Sequence, residues 1–186
     1  MRRSILSDWI QKPVILLTHS QSGSYGWILG DARHSAVKAI VAVEPSGPPF
    51  QNAIFPPAGP ARPWGLAETP LAYTPPISSP NELKRVVIES NPALNYTCFN
   101  QAEPARKLTN LSKIPVLVVT SESGYHTVYD TCTVKYLQQA GVSVDHIKLN
   151  EVGIHGNGHM MFMEKNNLQI ADQVVESWIS QRSLSK

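Results

Sequence analysis

The chain has 186 residues, of which 42% are hydrophobic and 16% charged, with a formal net charge of +2. Those values suit one soluble globular domain built on a single core. So small a net charge gives no reason to expect nucleic acid or a membrane surface as partner. No apolar run is long enough to span a bilayer.

In chain order, residues 4–11 read as the end of a helix. Asp8 interrupts the apolar stretch after Met1-Arg2-Arg3, so no signal peptide is read there and localisation stays open. Residues 13–18 form an apolar run with the length of a buried strand. Residues 23–32 read as a short helix with Tyr25, Trp27, Ile28 and Leu29 available for packing. Residues 37–43 are a second buried strand, ending at Glu44-Pro45. Neither strand alternates polar and apolar residues, as expected for a parallel sheet covered on both faces.

Composition changes between Pro45 and Pro80. Eleven of the fifteen prolines fall there, with Phe50, Phe55, Trp64 and Tyr73 among them. Proline lacks the amide hydrogen that a helix or a central strand needs, so the segment reads as an ordered excursion over the sheet. Ser79-Pro80-Asn81-Glu82 then opens an expected helix over residues 82–89, with another over 102–108. Residues 115–120 are a third strand, 128–140 a helix stopped by Gly141, and 144–149 a fourth strand. A glycine-rich loop with His155 and His159 leads to a last helix over 167–180, with Leu168, Ala171, Val175 and Trp178 on one face. Such alternation implies an α/β fold on a mostly parallel sheet, with helices on both faces. Cys98 and Cys132 are read as two separate thiols, with one bridge as the alternative. Asn95-Tyr96-Thr97 and Asn110-Leu111-Ser112 fit the glycosylation sequon, a triplet common by chance.

The chemistry gathers at strand ends. Thr18-His19-Ser20-Gln21-Ser22-Gly23 places a serine among small residues between a strand and a helix, the layout of a nucleophile elbow. Thr18 and Ser22 stand where G-x-S-x-G has glycines, so the match is relaxed. A serine hydroxyl needs a histidine base, and the histidine needs a carboxylate to orient it. In an open α/β sheet these groups should lie past the carboxyl ends of strands. Ser20 follows the first strand, Glu44 the second, and His159 lies in the loop after the fourth.

With Gly156-Asn157-Gly158-His159-Met160-Met161 and the helix after it, the H-S-Q-S-G elbow resembles the α/β-hydrolase superfamily, and within it an esterase subgroup with a glutamate after the next strand. The resemblance implies Ser20 as nucleophile, His159 as base, Glu44 as acid and the Gln21 amide as one oxyanion donor. Glu122 and Asp130 are the alternative acids, since many members carry the acid after the third strand seen here, nearest Gly124. His155 is the alternative base. His19 is read as structural or pocket-lining; His34, His126 and His146 as surface or core residues. Phe50, Phe55, Trp64 and Tyr73 are the candidate lining of an apolar pocket beneath a lid or cap over 45–110. Met160, Met161 and Met163 are read as filler under the histidine loop. His155 and His159 share a spacing seen in zinc sites, but the loop glycines and the lack of a third ligand argue against metal. No cofactor is expected.

The resemblance covers only the second half of that fold, so the chain reads as one N-terminally truncated domain over 1–186. Two expectations follow. The strand at Val14 to Leu17 becomes an open apolar edge that invites self-association. The loop carrying a second oxyanion donor is also missing, and one such donor is worth about 2.7–4 kcal/mol. The expected function is hydrolysis of carboxylic ester-type bonds in a small-molecule substrate through an acyl-enzyme. The alternative is a weak or inactive hydrolase-like chain that serves as a binding module.

Overall fold

A computed structural model describes residue 10, residues 12–55 and residues 59–184. The expected helix over 4–11 therefore lies outside the described residues, apart from Ile10.

The centre is a four-stranded sheet in the order β1 (Val14–Ser20), β2 (Val37–Pro45), β9 (Val116–Thr120), β10 (Val144–Lys148), with every pair parallel. β9 and nearly all of β2 are buried. Their side chains point alternately to opposite sides. Ile40 and Ala42 of β2 join Val116 and Val118 of β9 on one face, where Trp27 of α1 (Gly23–Ala32) and Tyr136 and Leu137 of α2 (Asp130–Gln139) cover them. Ala39, Val41 and Val43 join Leu117 and Val119 on the other face, beneath the C-terminal helix. β1 is an edge strand, and Leu17 in it is 64% exposed. Of the four α1 residues expected to pack, Trp27 is fully buried and Ile28 partly so; Tyr25 and Leu29 face solvent, contrary to the sequence expectation.

The excursion after β2 holds three small antiparallel pairs. β3 (Gln51–Asn52) pairs with β4 (Gly59–Pro60), β5 (Tyr73–Thr74) with β8 (Lys107–Leu108), and β6 (Arg85–Asn91) with β7 (Tyr96–Gln101). The expected helix over 82–89 is replaced. Ser79 and Glu82 form a reciprocal cap around a single 3₁₀ turn, Pro80–Glu82, and the chain then extends. Val86-Val87-Ile88 explains the change, because three consecutive β-branched residues favour a strand once a partner is present. The expected helix over 102–108 is likewise absent: Gln101 clasps the Arg106 backbone, and Lys107–Leu108 goes to β5.

Cys98 and Cys132 are bridged, which corrects the reading as separate thiols. The bond ties β7 to α2 across 34 residues of sequence. A loop of that length makes a disulfide worth about 3–4 kcal/mol on loop-closure entropy. A Cys98→Ser/Cys132→Ser chain should lose that amount in urea unfolding; an unchanged midpoint would show that the bridge contributes nothing.

The last helix forms as α3 (Asn167–Ile170), a π-helical stretch (Ala171–Glu176) and α4 (Ser177–Gln181). The wider π turn shifts the inward face to Ile170, Val174 and Trp178. Leu168, expected on that face, is 73% exposed.

At the end of the sheet, His146 of β10 donates from Nε2 to Thr120 Oγ1 at 2.9 Å, and that hydroxyl donates to Asp130 at 2.7 Å. Burial, with Lys148 nearby, pushes His146 down from 6.5 to about 4. The unfolded chain takes up this proton near 6.5 and the folded chain only near 4, so stability falls as pH drops through that window. Between pH 7.5 and pH 5 the loss attributable to His146 is about 2 kcal/mol. Urea unfolding at both pH values should show that extra loss in the wild type relative to His146→Gln; equal losses would rule the linkage out.

Candidate active site

The elbow is built by close approach. Ser20 has φ of 56°, in the left-handed region that a tight strand-to-helix turn imposes on its apex. A methyl group at Gly23 would sit 2.6 Å from Pro45 Cβ, so only glycine lets α1 start against the end of β2. Thr18 is tolerated in place of a glycine because Gly26 faces it. A Cβ there would lie 3.0 Å from Thr18 Cγ2. Ser22, the other replacement, braces the turn. Its Oγ donates to the His19 carbonyl at 2.7 Å and accepts from the His19 amide at 2.8 Å.

Ser20, His159 and Glu44 come together in one hydrogen-bonded line. Ser20 Oγ lies 3.0 Å from His159 Nε2, and His159 Nδ1 lies 2.6 Å from Glu44 Oε2. Glu44 is fully buried, with φ of 41°. Its other oxygen, Oε1, accepts from the Ser121 amide at 2.8 Å and from the Ser121 hydroxyl. A carboxylate oxygen facing Nδ1 can only accept, so Nδ1 carries the imidazole proton. Nε2 is then left as acceptor for the serine hydroxyl.

Gly124 leaves the room that the Glu44 carboxylate occupies. A Cβ at Gly124 would fall 2.6 Å from Glu44 Oε1 and 2.3 Å from Ser121 Oγ. A carboxylate side chain there and Glu44 cannot share the space. Of the alternative acids, Glu122 accepts from His155 Nδ1 at 3.1 Å and from the Gly156 amide at 2.7 Å, fastening the histidine loop from outside. Asp130 is fully buried and bonds His126 Nδ1 at 2.9 Å; burial raises its pKa. His155 is exposed and turned to Glu122, not to Ser20. Glu164 holds the loop from within, accepting from the Gly158 amide at 2.9 Å and from Asn157.

The His159 ring has a neighbour on each side. His126 stacks parallel to it at 4.8 Å, and His19 lies 4.4 Å away at a 35° tilt. His19 Nε2 donates to the His159 carbonyl at 2.8 Å, and burial lowers the His19 pKa. A neutral His19 can hold the loop without adding a second positive charge beside an imidazolium. His126 is fixed at both nitrogens, by Asp130 and by the Tyr129 hydroxyl at 3.1 Å. The Tyr125 hydroxyl reaches His159 Nε2 at 3.3 Å. Ser121, Tyr125 and His126 escaped the sequence reading as members of the site, and Asp130 enters it as the partner of His126 and not as the acid facing His159. The only signal for the first three was the dense polar run Ser121-Glu122-Ser123-Gly124-Tyr125-His126 at the carboxyl end of β9.

A cavity of about 280 Å³ opens in front of Ser20, and Gln21, Phe55, Arg62 and Tyr125 are among its lining residues. Of the four aromatic residues expected to line it, Phe55 does, edge-on to Tyr125 at 4.8 Å. Phe50, Trp64 and Tyr73 instead sit in the interior: Phe50 packs edge-on to Tyr136, and the Tyr73 hydroxyl donates to the Trp64 carbonyl. The sequence could not say which side of the excursion each ring would take. Of the three methionines only Met161 is buried. A larger cavity of about 640 Å³, with Pro80, Lys84 and Arg85 in its wall, contains none of the Ser20, His159 and Glu44 line.

Ligand atoms of Glu44, His126 and His159 lie within 4.8 Å of one another, which is close enough to share a cation. Each is already committed to the hydrogen bonds above. What the arrangement supplies unaided is a polarised hydroxyl, a base and an orienting carboxylate.

The fold is α/β, with a parallel four-stranded sheet and helices on it. It aligns with a structure described as a novel bacterial esterase at a TM-score of 0.55, with 24% identity over 95% of this chain and 41% of that one. In sequence the chain is similar to the "Probable secreted lipase phiG" of Fungal sp. (strain ATCC 74256), at 51% identity over 172 residues. That alignment takes in 91% of this chain and 46% of the relative, so the chain spans less than half of the relative's length. No family model matches the chain.

Proposed function

We propose that the chain is a serine hydrolase of carboxylic esters, acting through an acyl-enzyme on an α/β-hydrolase fold. The observation that carries the proposal is the unbroken line from Ser20 Oγ through His159 to the buried Glu44. The similarity to a protein named as a lipase supports ester chemistry.

In this reading His159 Nε2 takes the Ser20 proton as Oγ attacks the ester carbonyl. Glu44 orients and stabilises the imidazolium. His159 then returns the proton to the departing alcohol, and a water activated by the same nitrogen frees the acid and restores Ser20. The Gln21 amide, directly after the nucleophile, is one donor to the developing oxyanion. His19 and His126 hold the imidazole plane so that each proton transfer runs along the same line. The Cys98–Cys132 bridge fits a protein made for an oxidising compartment.

The test is hydrolysis of p-nitrophenyl acetate and butyrate by the folded chain, measured against free imidazole at equal concentration. Turnover well above imidazole, saturating with substrate, is expected. A folded chain no faster than imidazole would support the alternative of a non-catalytic binding module.

A further inference from the structure

Arg62 follows β4 with φ of 47° and is only 7% exposed. Its Nε and Nη2 donate to the Pro48 carbonyl at 3.1 and 2.9 Å, and Nη1 donates to Asn52 Oδ1 at 3.2 Å. These bonds use three of the five N–H groups of a guanidinium. Among the described residues no carboxylate stands within ion-pairing distance of it. Glu68 attracts it from farther away, but Glu68 is exposed and its Oε1 is occupied by the Arg62 backbone amide at 2.7 Å. Glu44 and Asp130, the buried acids of the site, are each taken up by their own histidine and hydroxyl partners. Burying a cation without its counter-charge is costly, and the cost shows as a lowered Arg62 pKa caused by burial.

The same side chain lines the cavity of about 280 Å³ that holds Ser20 and Gln21. A desolvated guanidinium with donors to spare, sharing a cavity with a nucleophile, matches an anionic group on the substrate. We propose that this site prefers esters that carry a carboxylate, and that Arg62 is the residue that binds it. The proposal rests on Ser20 as nucleophile and deepens that reading by naming the substrate class. Charge-assisted hydrogen bonds from arginine to a carboxylate are short and frequently bidentate, which gives such a site selectivity as well as affinity.

Two substrate pairs test it on the full chain. p-Nitrophenyl hydrogen glutarate and p-nitrophenyl 5-methylhexanoate differ by a carboxylate on the acyl side. 4-Acetoxybenzoate and its methyl ester differ by one on the alcohol side. In the wild type, kcat/KM for the anionic member of at least one pair should exceed its neutral partner by about tenfold or more. That ratio should collapse towards unity in Arg62→Gln and partly recover in Arg62→Lys. The pair that responds tells which side of the ester faces Arg62. Hydrolysis of the neutral esters with no anionic preference in either pair would overturn the proposal and leave the Ser20 reading standing. A preference that survives Arg62→Gln would also overturn it. No hydrolysis of any of the four esters would overturn both. If Arg62→Gln does not fold, the wild-type ratios decide.

Discussion

Ser20→Ala should lower p-nitrophenyl ester hydrolysis by about 10⁴-fold or more while leaving the fold intact. The magnitude follows from covalent catalysis acting as a unit: without the nucleophile, His159 and Glu44 have nothing to activate, and only binding and the oxyanion donor remain. Retention of the fold follows from what Ser20 touches. Its hydroxyl meets His159 Nε2 at 3.0 Å. The turn itself is held by backbone and Ser22 bonds that an alanine keeps, including the Ser46 amide to the Ser20 carbonyl at 2.9 Å. Steady-state kinetics beside a thermal melt reads both halves. A loss under tenfold would place the nucleophile elsewhere.

Glu44→Gln should cost nearly as much, about 10³- to 10⁴-fold in kcat, for a reason that lies in proton placement. Two donors from Ser121 and one from His159 converge on the Glu44 carboxylate. Glutamine offers one acceptor oxygen and one NH₂ group. With its oxygen turned to Ser121, the NH₂ faces His159 Nδ1 and forces the proton onto Nε2, where it blocks transfer from Ser20. With its oxygen turned to His159, the NH₂ meets the two Ser121 donors. Either orientation breaks the line, although the shape of the side chain is unchanged. Glu122→Gln removes only contacts to His155 and Gly156 on the outside of the loop and should have a small effect. A larger loss from Glu122→Gln than from Glu44→Gln would reassign the acid.

The parts of this molecule that could be read from its residues share a physical property: their partners are dictated by local pattern. β2 and β9 are largely apolar runs rich in β-branched residues and bounded by Pro45 and Pro115, and such runs fit little besides a covered parallel strand. That Ser20, Glu44 and His159 lie close together is legible because the carboxyl ends of parallel strands are where an α/β sheet exposes side chains to one another. What escaped depends on tertiary neighbours. Val86-Val87-Ile88 became a strand because Tyr96–Gln101 lies beside it, and Cys98 found Cys132 because β7 packs on α2. Thr18 makes the motif match relaxed in sequence, and the room for it comes from Gly26 opposite. Gly124 carries the sharpest lesson. Its missing side chain is the room that Glu44 occupies, a relation between residues 80 positions apart that no local window contains.

The central claim is that Ser20 is a nucleophile activated by His159. The most direct measurement is labelling of the folded chain with a fluorophosphonate, followed by mass spectrometry of the digested protein. A single phosphonyl adduct on the peptide containing Ser20, absent from Ser20→Ala and strongly slowed in His159→Ala, is the expected result. An unlabelled wild type, or equal labelling of wild type and Ser20→Ala, would contradict it.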